Sequence, residues 1–278
     1  MTNVDLHCHS TISDGLLAPR ELVRRAAANG VQMLALTDHD HLGGLAEARD
    51  EADALGIRFV NGVEVSVSWG GLTIHVVGLG VDAANSDLAQ GLAAVRRSRD
   101  QRALRMADSL AASGIRGAYE GALRHVGNPS LVSRSHFARW LVEMRYARNV
   151  ANVFEHYLLR GKPGYVEHQW CALEEAVDWI HTAGGVAVLA HPGRYRMSGN
   201  ERDRMFTAFK ALGGDAVEVV AGAHDHAAVR EYARVARKYG LAASRASDFH
   251  GVGESAVDVG RAGPLPPDLE PVWERLAA

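Results

Sequence analysis

Nine side chains able to bind a metal ion follow predicted strand ends along this chain of 278 residues. Six are imidazoles and three are carboxylates, a mixture that suits Zn, Mn or Fe(II) better than Mg or Ca. Acids and imidazoles crowded together lose favourable hydration unless a cation lies among them, and nine ligands are enough for two or three ions. The candidates are His7, His9, Asp14, His39, Glu64, His75, His191, Asp248 and His250.

The first and last candidates share a two-residue spacing. His7 and His9 lie two apart in DLHCHSTISDG, so both would point to one face of an extended strand. Asp248 and His250 repeat the spacing in SDFHG. Cys8 would point the other way and is predicted to pack as a small side chain. A single histidine is most often an ordinary hydrogen-bonded residue, so the prediction depends on the combination.

Strands and helices alternate around these residues. Residues 65–80 predict a hairpin around Gly70 and Gly71, and the β-α alternation resumes in the last third of the chain. Such alternation predicts an α/β protein with parallel strands, whose carboxyl ends converge on one face. In the first third, the predicted helices and strands cover 18–30, 31–40, 44–55 and 57–63.

The middle of the chain differs in pattern and charge. Residues 87–163 are mostly helical in pattern, and 96–162 hold 13 Lys and Arg against 5 Asp and Glu, a net charge of +8. The whole chain carries -3, so the remainder carries -3 - 8 = -11. We predict a barrel of residues 1–86 and 164–278 with an inserted, helical, substrate-capping subdomain of 87–163. A basic insertion beside an acidic barrel suits an anionic ligand held over cations, although exposed arginines are also ordinary solvated charge.

Composition excludes several classes of protein. A net charge of -3 excludes a globally basic nucleic-acid binder. The two cysteines, Cys8 and Cys171, favour a reduced protein over a disulfide-bonded one. The N-terminus lacks the features of a secretory signal, and no apolar run approaches the ~20 residues that cross a bilayer. We expect a soluble, cytoplasmic protein with no membrane contact and no obligate protein partner.

The ordered motifs resemble the PHP family, the polymerase and histidinol phosphatase domains. DLHCHSTISDG, LTDHD, NGVEVS, LAHPGR and SDFHG carry the resemblance over residues 1–79 and 166–263. It implies a distorted, TIM-like (β/α)7 barrel with a helical insertion. It also implies three divalent ions, with Mn2+ expected first and Zn2+ or Fe2+ as alternatives.

The resemblance also implies how the ligands are shared among three ions. His7, His9, Glu64 and Asp248 would hold the first ion. Glu64 would bridge to a second ion, which His75 and His191 complete. The third ion would be held by Asp14, His39 and His250.

The insertion resembles the corresponding stretch of stand-alone bacterial PHP phosphoesterases. In SRSHFARWLVEMRYARNVANVFEHYLLRGKPGYVE, residues 133–136 depart at two positions from the Gly-Arg-Pro-His type motif of that group. Ser135, in place of the proline, would cap the next helix or donate to phosphate. Members of that group act on nucleoside 3',5'-bisphosphates and on the 5' ends of short RNA, and the resemblance implies the same chemistry here.

Clustered cations lower the pKa of a bound water toward ~7 and so generate hydroxide near neutral pH. We expect a metal-bridging hydroxide, held by His7, His9, Glu64 and Asp248, to attack phosphorus directly. A covalent intermediate is not expected, because no glycine-rich phosphate loop or Ser/Cys nucleophile motif is evident. Arginine binds phosphate in a bidentate way and lysine as a point charge. The candidates for substrate binding are Arg134, Ser135, His136, Arg160, Lys162 and Arg194. Protonation of the leaving group and simple stabilisation of the helix are alternative roles for His136.

The predicted function is metal-dependent phosphoesterase activity on a small anionic substrate. The first expectation is conversion of nucleoside 3',5'-bisphosphates, such as adenosine 3',5'-bisphosphate to AMP, together with 5'-3' exonuclease trimming of short RNA. Histidinol phosphate is an alternative substrate, although the basic insertion is larger than one small monoester needs. Hydrolysis of C-N bonds and a non-catalytic, polymerase-associated PHP module are the remaining alternatives.

Overall fold

A computed structural model describes residues 2–276, and its strands form one mixed sheet that curves into a nearly closed barrel. Seven strands follow one another in the order β1-β2-β3-β4-β6-β7-β8, and the short β5 pairs with β3 outside this path. The strands are β1 (Val4–Asp5), β2 (Met33–Leu36), β3 (Arg58–Trp69), β4 (Leu72–Leu79), β5 (Cys171–Ala172), β6 (Val186–Leu189), β7 (Ala216–Val220) and β8 (Ala242–Arg245).

Strand β4 interrupts an otherwise parallel barrel. It runs antiparallel to both of its neighbours, β3 and β6, while the other neighbours along the path are parallel. The first and last strands approach each other, since Leu6 N–H donates to Arg245 O at 3.1 Å and Cys8 forms a parallel bridge with Phe249. The prediction of a distorted seven-stranded α/β barrel is confirmed.

Nine helices are described within residues 2–276, and four of them, α3 to α6, lie between β4 and β5. The last of these continues as a π-helical turn over Phe154–Leu158. The helices are α1 (Pro19–Ala28), α2 (Leu45–Leu55), α3 (Ser86–Ala112), α4 (Ala118–Leu123), α5 (Arg134–Glu143), α6 (Val150–Val153), α7 (Leu173–Thr182), α8 (Gly199–Ala211) and α9 (His226–Tyr239).

Strand β2 (Met33–Leu36) is shorter than the predicted 31–40, and two further elements differ from the sequence expectation. Strand β3 continues through Glu64 to Trp69, because β4 extends its hydrogen-bonded ladder beyond the predicted end at Val63. Helix α4 was not predicted, since its six residues are too few to show a helical period. The predicted turn at Gly70 and Gly71 is present, with φ angles of +56° and +75° that favour glycine.

Most of the helical segment has an apolar core separate from that of the barrel, whereas Leu88 and Leu92 of α3 belong to a cluster shared with the barrel strands. Side chains such as Leu6, Val77 and Val188 fill the barrel, while Phe137 and Leu110 belong to a cluster within the helical segment. We therefore describe residues 86–158 as the helical region; the domain boundaries given above stay a prediction. Within residues 2–276, none of the helices combines the length and the apolar character that crossing a bilayer requires.

Candidate metal centre and adjoining pocket

The structure brings the nine predicted ligands together at one end of the barrel. His7 and His9 directly follow β1, and Glu64 and His75 lie in the paired strands β3 and β4. The remaining ligands lie in loops that follow β1, β2, β6 and β8. The nine side chains are buried or partly buried, and they form overlapping groups whose ligand atoms lie within 4.8 Å of one another.

Four ligands meet at the centre of the cluster. The Nε2 atoms of His7 and His9 are only 3.0 Å apart, and each lies 3.4 Å from Glu64 Oε2. Asp248 Oδ1 lies 3.6 Å from the first of these nitrogens and 3.4 Å from the second. These distances leave all four side chains directed at one shared point.

Glu64 connects this centre to the other ligands. Its Oε1 atom lies 2.7 Å from His75 Nδ1 and 2.8 Å from His191 Nε2. Its Oε2 atom lies 2.7 Å from Nδ1 of His39. A single carboxylate therefore touches three imidazoles on two sides, as a bridging ligand would.

Buried atoms without hydrogen-bond partners support binding of cations. Among the described residues, five ligands have a side-chain nitrogen or oxygen atom that is buried and lacks a hydrogen bond. His39 Nδ1 is one of them, and it lies 2.7 Å from Glu64 Oε2 as a close ionic contact. Each such atom costs ~1–3 kcal/mol, and cations among the ligands would remove this cost for the carboxylate oxygens. The residues therefore fit divalent ions; the atoms are Asp14 Oδ1, His39 Nδ1, Glu64 Oε2, His191 Nδ1 and Asp248 Oδ1.

The protonation states of the carboxylates, His75 and His250 suit metal binding. Burial acts to lower the pKa of His7 and His39, but Glu64 and other carboxylates raise both above the usual value. Burial acts to raise the pKa of Glu64, but the imidazoles of His75 and His39 hold this pKa well below its usual value. Burial likewise acts to raise the pKa of Asp14, and His39 and His250 lower it well below the usual range. Burial lowers the pKa of both His75 and His250 to about 4. Anionic carboxylates and neutral imidazoles are the forms that coordinate metals.

Backbone strain is concentrated at the same place. Three residues other than glycine have positive φ angles at the barrel mouth: Asp40 at +48°, His191 at +26° and Asp248 at +54°. Conformations of this kind cost ~1–3 kcal/mol each and persist where the surroundings enforce them, most often at functional sites.

Sequence reasoning missed Glu218, which supports two of the ligands from β7. Its Oε1 atom lies 2.7 Å from His7 Nδ1, and its Oε2 atom accepts a hydrogen bond of 2.6 Å from the backbone N–H of His191. A carboxylate behind a metal-binding imidazole fixes the ring's orientation and tautomer. The available signal was an acid inside the apolar run DAVEVV, because a buried glutamate needs a partner.

A pocket of about 470 Å³ connects the ligand cluster to the helical region. Its lining includes His39, Glu64, Asp248 and other ligands on one side. The opposite side is rich in cations and aromatic rings, including Arg99, Arg102, Arg134, Phe154, Arg160, Tyr165 and Trp170. This volume is in the range of small-molecule sites.

Two of these arginines come from α3 and were not predicted. Arg99 binds the Asp40 carboxylate through two nitrogens and lies 4.8 Å from the ring centre of Trp170. Arg102, only 8% exposed, lies 5.1 Å from the same ring, and its Nε has no hydrogen-bond partner within residues 2–276. Burial, together with Arg134 and Arg99, lowers the pKa of Arg102 well below its ordinary value. The three-residue spacing in RRSRDQR was a signal for one helical face.

Three predicted phosphate-binding arginines line this pocket. Arg134 lies 5.6 Å from the ring centre of Phe154, and Arg194 donates to Asp248 Oδ2. Arg160 is exposed and pairs with Glu167 at 3.0 Å.

The other three predicted substrate-binding residues are placed differently. Lys162 is exposed and lies outside the pocket lining. His136 is buried beneath the pocket, where its Nδ1 accepts a hydrogen bond of 3.0 Å from the backbone N–H of Ser133. Ser135 lines the pocket but donates its hydroxyl proton to Asp14 Oδ2 at 2.9 Å. Contact of Lys162, His136 and Ser135 with phosphate stays a prediction, and the placement of His136 agrees with its alternative role of stabilising the helix.

Comparison with known proteins agrees with this chemistry. The model of the PHP domain family matches residues 5–212. A 3',5'-nucleoside bisphosphate phosphatase from Chromobacterium violaceum is 51% identical over 278 residues, covering 100% of this chain and 98% of the relative. The 5'-3' exoribonuclease Rnm from Escherichia coli is 43% identical over 272 residues, covering 97% of this chain and 92% of the relative.

Two solved structures resemble the whole chain. An amidohydrolase from Chromobacterium violaceum, solved with bound sulfate and no metal, has a TM-score of 0.96 and 51% identity, with 99% of this chain and 95% of that one covered. A proposed metal-dependent phosphoesterase from Bifidobacterium adolescentis has a TM-score of 0.82 and 26% identity, with 99% and 96% covered.

Proposed function

The chain belongs to the PHP family and is a hydrolase, and on that premise we propose that it removes the 3'-phosphate from nucleoside 3',5'-bisphosphates, such as adenosine 3',5'-bisphosphate to AMP. The observation that carries the proposal is one pocket whose two walls require ligands of opposite charge. One wall holds buried ligand atoms that lack partners among residues 2–276, and the other holds the buried Nε of Arg102, which also has none there. A phosphate ester on divalent cations meets both requirements.

The barrel side would bind the reacting phosphate. We propose three divalent ions, Mn2+ first, held by the nine predicted ligands. When bound, these ions supply Lewis acidity and a water of lowered pKa near neutral pH. Glu218 keeps His7 oriented toward the cluster through its Nδ1, while Arg194 fixes Asp248 and brings a cation to the rim. The side chains of Asp248 and Glu64 are less than a tenth exposed, which restricts bulk water around the reacting group.

The helical side would bind the second phosphate. Arg102 and Arg134 line the pocket, and neither forms an ion pair with a carboxylate among residues 2–276. A phosphate dianion offers oxygens to both guanidinium groups, and charge-assisted hydrogen bonds of this kind are among the strong ones. Placing the 5'-phosphate here and the 3'-phosphate at the ligand cluster gives each charged end of the substrate its own site.

Trimming of RNA from the 5' end is a second candidate function of the same pocket. The first nucleotide of an RNA carries a phosphorus on its 3' oxygen, as a nucleoside 3',5'-bisphosphate does. Leu159 and Arg160 form an exposed part of the pocket lining, so a longer chain would have a route to solvent. The name of the Escherichia coli relative favours this activity.

Other reactions explain the pocket less well. Histidinol phosphate carries one phosphate. When this phosphate lies at the ligand cluster, no anion remains to bind Arg102. Hydrolysis of a C-N bond, in line with the name of the solved Chromobacterium relative, would also leave these arginines without a role. A non-catalytic module would have no use for five unpartnered ligand atoms in a strained barrel mouth.

The proposal is tested by phosphate release from protein loaded with Mn2+. Adenosine 3',5'-bisphosphate should be converted to AMP faster than histidinol phosphate, and 3'-AMP, which lacks the 5'-phosphate, should be a poor substrate. Arg134→Ala should lower kcat/KM for the bisphosphate by ~10-fold or more, since hydrogen bonds to charged groups contribute ~1.5–3 kcal/mol. The same substitution should lower kcat/KM for 3'-AMP much less.

Arg97→Ala is the matched control, because Arg97 is an exposed arginine of α3 outside the pocket lining. This variant should leave kcat/KM for the bisphosphate and for 3'-AMP unchanged. Preference for histidinol phosphate would overturn the substrate assignment. Absence of phosphate release from every ester by metal-loaded protein would overturn the phosphoesterase proposal itself.

A further inference from the structure

The amino end of α5 in the helical region reaches a loop of the barrel mouth. Ser133 precedes this helix and accepts a hydrogen bond from the backbone N–H of Ser135 at 3.1 Å, which caps the helix. Its own hydroxyl proton goes to Asp14 Oδ2 at 2.9 Å. The Ser135 hydroxyl donates to the same oxygen, also at 2.9 Å. Two hydroxyl groups of the helical region therefore converge on one carboxylate oxygen of the barrel.

These contacts give the two carboxylate oxygens of Asp14 different surroundings. Oδ2 is occupied by the two serines, whereas Oδ1 is buried and has no hydrogen-bond partner within the described part of the chain. Oδ1 lies 3.5 Å from His250 Nε2 and 3.8 Å from His39 Nε2. A carboxylate held by one oxygen can rotate little, so its other oxygen stays aimed at these imidazoles.

The loop that carries Asp14 has further anchors in the helical region. Arg139 of α5 donates to the backbone oxygen of Asp14 and also binds Glu254 through two hydrogen bonds of 2.8 Å. Asn128 donates to the backbone oxygen of Ile12 at 3.1 Å. At Gly127 the approach is so close that an added Cβ would lie 2.4 Å from the backbone oxygen of Thr11. The loop is thus held along its length by the helical region.

We propose that Ser133 and Ser135 are positioning residues for a metal ion, and that the docked helical region sets the occupancy of the position formed by Asp14, His39 and His250. This inference rests on the metal-dependent function proposed above. Groups that orient a metal ligand typically change metal affinity by ~10–100-fold when they are removed. Loss of both hydroxyl groups should therefore weaken one ion of the set selectively. The other ions, whose ligands lie away from these serines, should stay bound.

The test measures metal content rather than turnover. Full-length protein is loaded with Mn2+ and passed through gel filtration, and bound Mn2+ is counted by mass spectrometry of the metal; affinities come from titration followed by EPR of free Mn2+. The variants are Ser135→Ala alone and Ser133→Ala with Ser135→Ala. Restoration is tested by Ser133→Thr with Ser135→Thr, which keeps both hydroxyl groups.

Ser198→Ala provides the matched control for loss of a helix cap. Ser198 caps α8 and, like Ser133, accepts a hydrogen bond from a backbone N–H of its helix. This variant should lower the melting temperature, as loss of the Ser133 cap should in the double alanine variant, while leaving Mn2+ binding unchanged. Ser135→Ala keeps the cap of α5, so it remains informative if the double variant fails to fold.

The proposal expects the double alanine variant to lose one equivalent of Mn2+, or to bind its weakest equivalent ~10–100-fold less tightly, with recovery in the threonine variant. Unchanged Mn2+ content and affinity in Ser135→Ala and in the double variant would overturn it. Loss in the threonine variant as well would also count against it, because the hydroxyl groups would then not be the cause. If the wild-type protein binds no Mn2+ at all, the proposed function fails instead.

Discussion

The barrel mouth and the adjoining face of the helical region bury charge in opposite ways. At the mouth, carboxylates and imidazoles face one another, and Nε2 of His7 lies 3.0 Å from Nε2 of His9. On the helical face, Arg102 lies between an aromatic ring and other arginines, and it is 8% exposed. The mouth has a surplus of electron-pair donors, and the helical face has a surplus of N–H donors.

This contrast explains why the two regions belong to one site. Buried polar groups without partners are costly, so each surplus needs a ligand of opposite sign. On the proposed function, cations would be the ligands of the mouth and an anion the ligand of the helical face. Arg99 differs from Arg102 because it already has a carboxylate partner, Asp40, which is adjacent to His39 in the chain. This ion pair also connects α3 to the mouth.

The most disruptive change should be at the bridging ligand of the mouth. Glu64→Gln removes a negative charge that contacts His75, His191 and His39. Phosphate release should fall by more than the ~100-fold that loss of a supporting hydrogen bond can cause. Glu120→Gln, on the exposed surface of α4, is the control and should have wild-type activity. Activity within a few fold of wild type in Glu64→Gln would break the assignment of the mouth as the metal centre.

Metal removal should lower the stability of the protein through the barrel mouth and not through the helical face. Mn2+ at ~100 times its dissociation constant should stabilise the fold by ~2.7 kcal/mol for each site, which raises the melting temperature by several degrees. Chelation should reverse the shift. Calorimetry should find the shift strongly reduced in Glu64→Gln and intact in Arg102→Met. An equal shift in both variants would mean that Mn2+ acts elsewhere on the protein.

Substitution of Arg102 should lower activity without lowering the stability of the protein. Arg102→Met keeps an apolar contact with Trp170 but removes a buried charge whose Nε is unsatisfied within residues 2–276. We expect kcat/KM for the bisphosphate to fall ~10–100-fold. The ligand-free protein should melt at the same or a higher temperature, because a poorly compensated buried charge is replaced by an apolar side chain. A large loss of stability with unchanged kcat/KM would assign Arg102 a structural role only.

The smallest effect should come from a charge pair outside the site. Arg25 and Asp258 form two hydrogen bonds of 2.7 Å on the outer surface, and the hydrogen bond from Arg25 lowers the pKa of Asp258. Since the folded-state pKa is below the unfolded one, the pair stabilises the fold above about pH 4 and this contribution is lost as the pH falls through the folded value.

Both side chains of this pair are partly exposed, so solvent screens the interaction and its worth is below ~1 kcal/mol. Urea unfolding of Asp258→Asn should show a decrease of this size at pH 7 that shrinks toward pH 3. An effect as large as those in the pocket would contradict the contrast drawn here between screened and buried charge.

The grouping of the nine candidate ligands was predictable because each follows or lies in a recognisable strand. Motifs such as LTDHD and SDFHG carry local signals, and parallel strands bring their carboxyl ends together whatever the rest of the chain does. The barrel itself was predictable for the same reason, from β-α alternation. The long β3 differed only where pairing with β4 extended it.

The support for these ligands depends on contacts between distant parts of the chain. Asp14 is 119 and 121 residues away from Ser133 and Ser135, so no local pattern reports that their hydroxyl groups meet it. The same holds for Glu218, which is 211 residues from His7. Whether Arg102 is solvated or buried likewise depends on how α3 docks. Sequence reasoning identified the groups that need partners, and tertiary structure decides which partners they receive.

The most direct test of the central claim is anomalous diffraction at the manganese edge from crystals soaked with Mn2+ and AMP. We predict manganese peaks among the ligands around Glu64 and the phosphate of AMP bound between Arg102 and Arg134. Manganese absent from this cluster, or phosphate bound away from these arginines in the presence of the metal, would contradict the account.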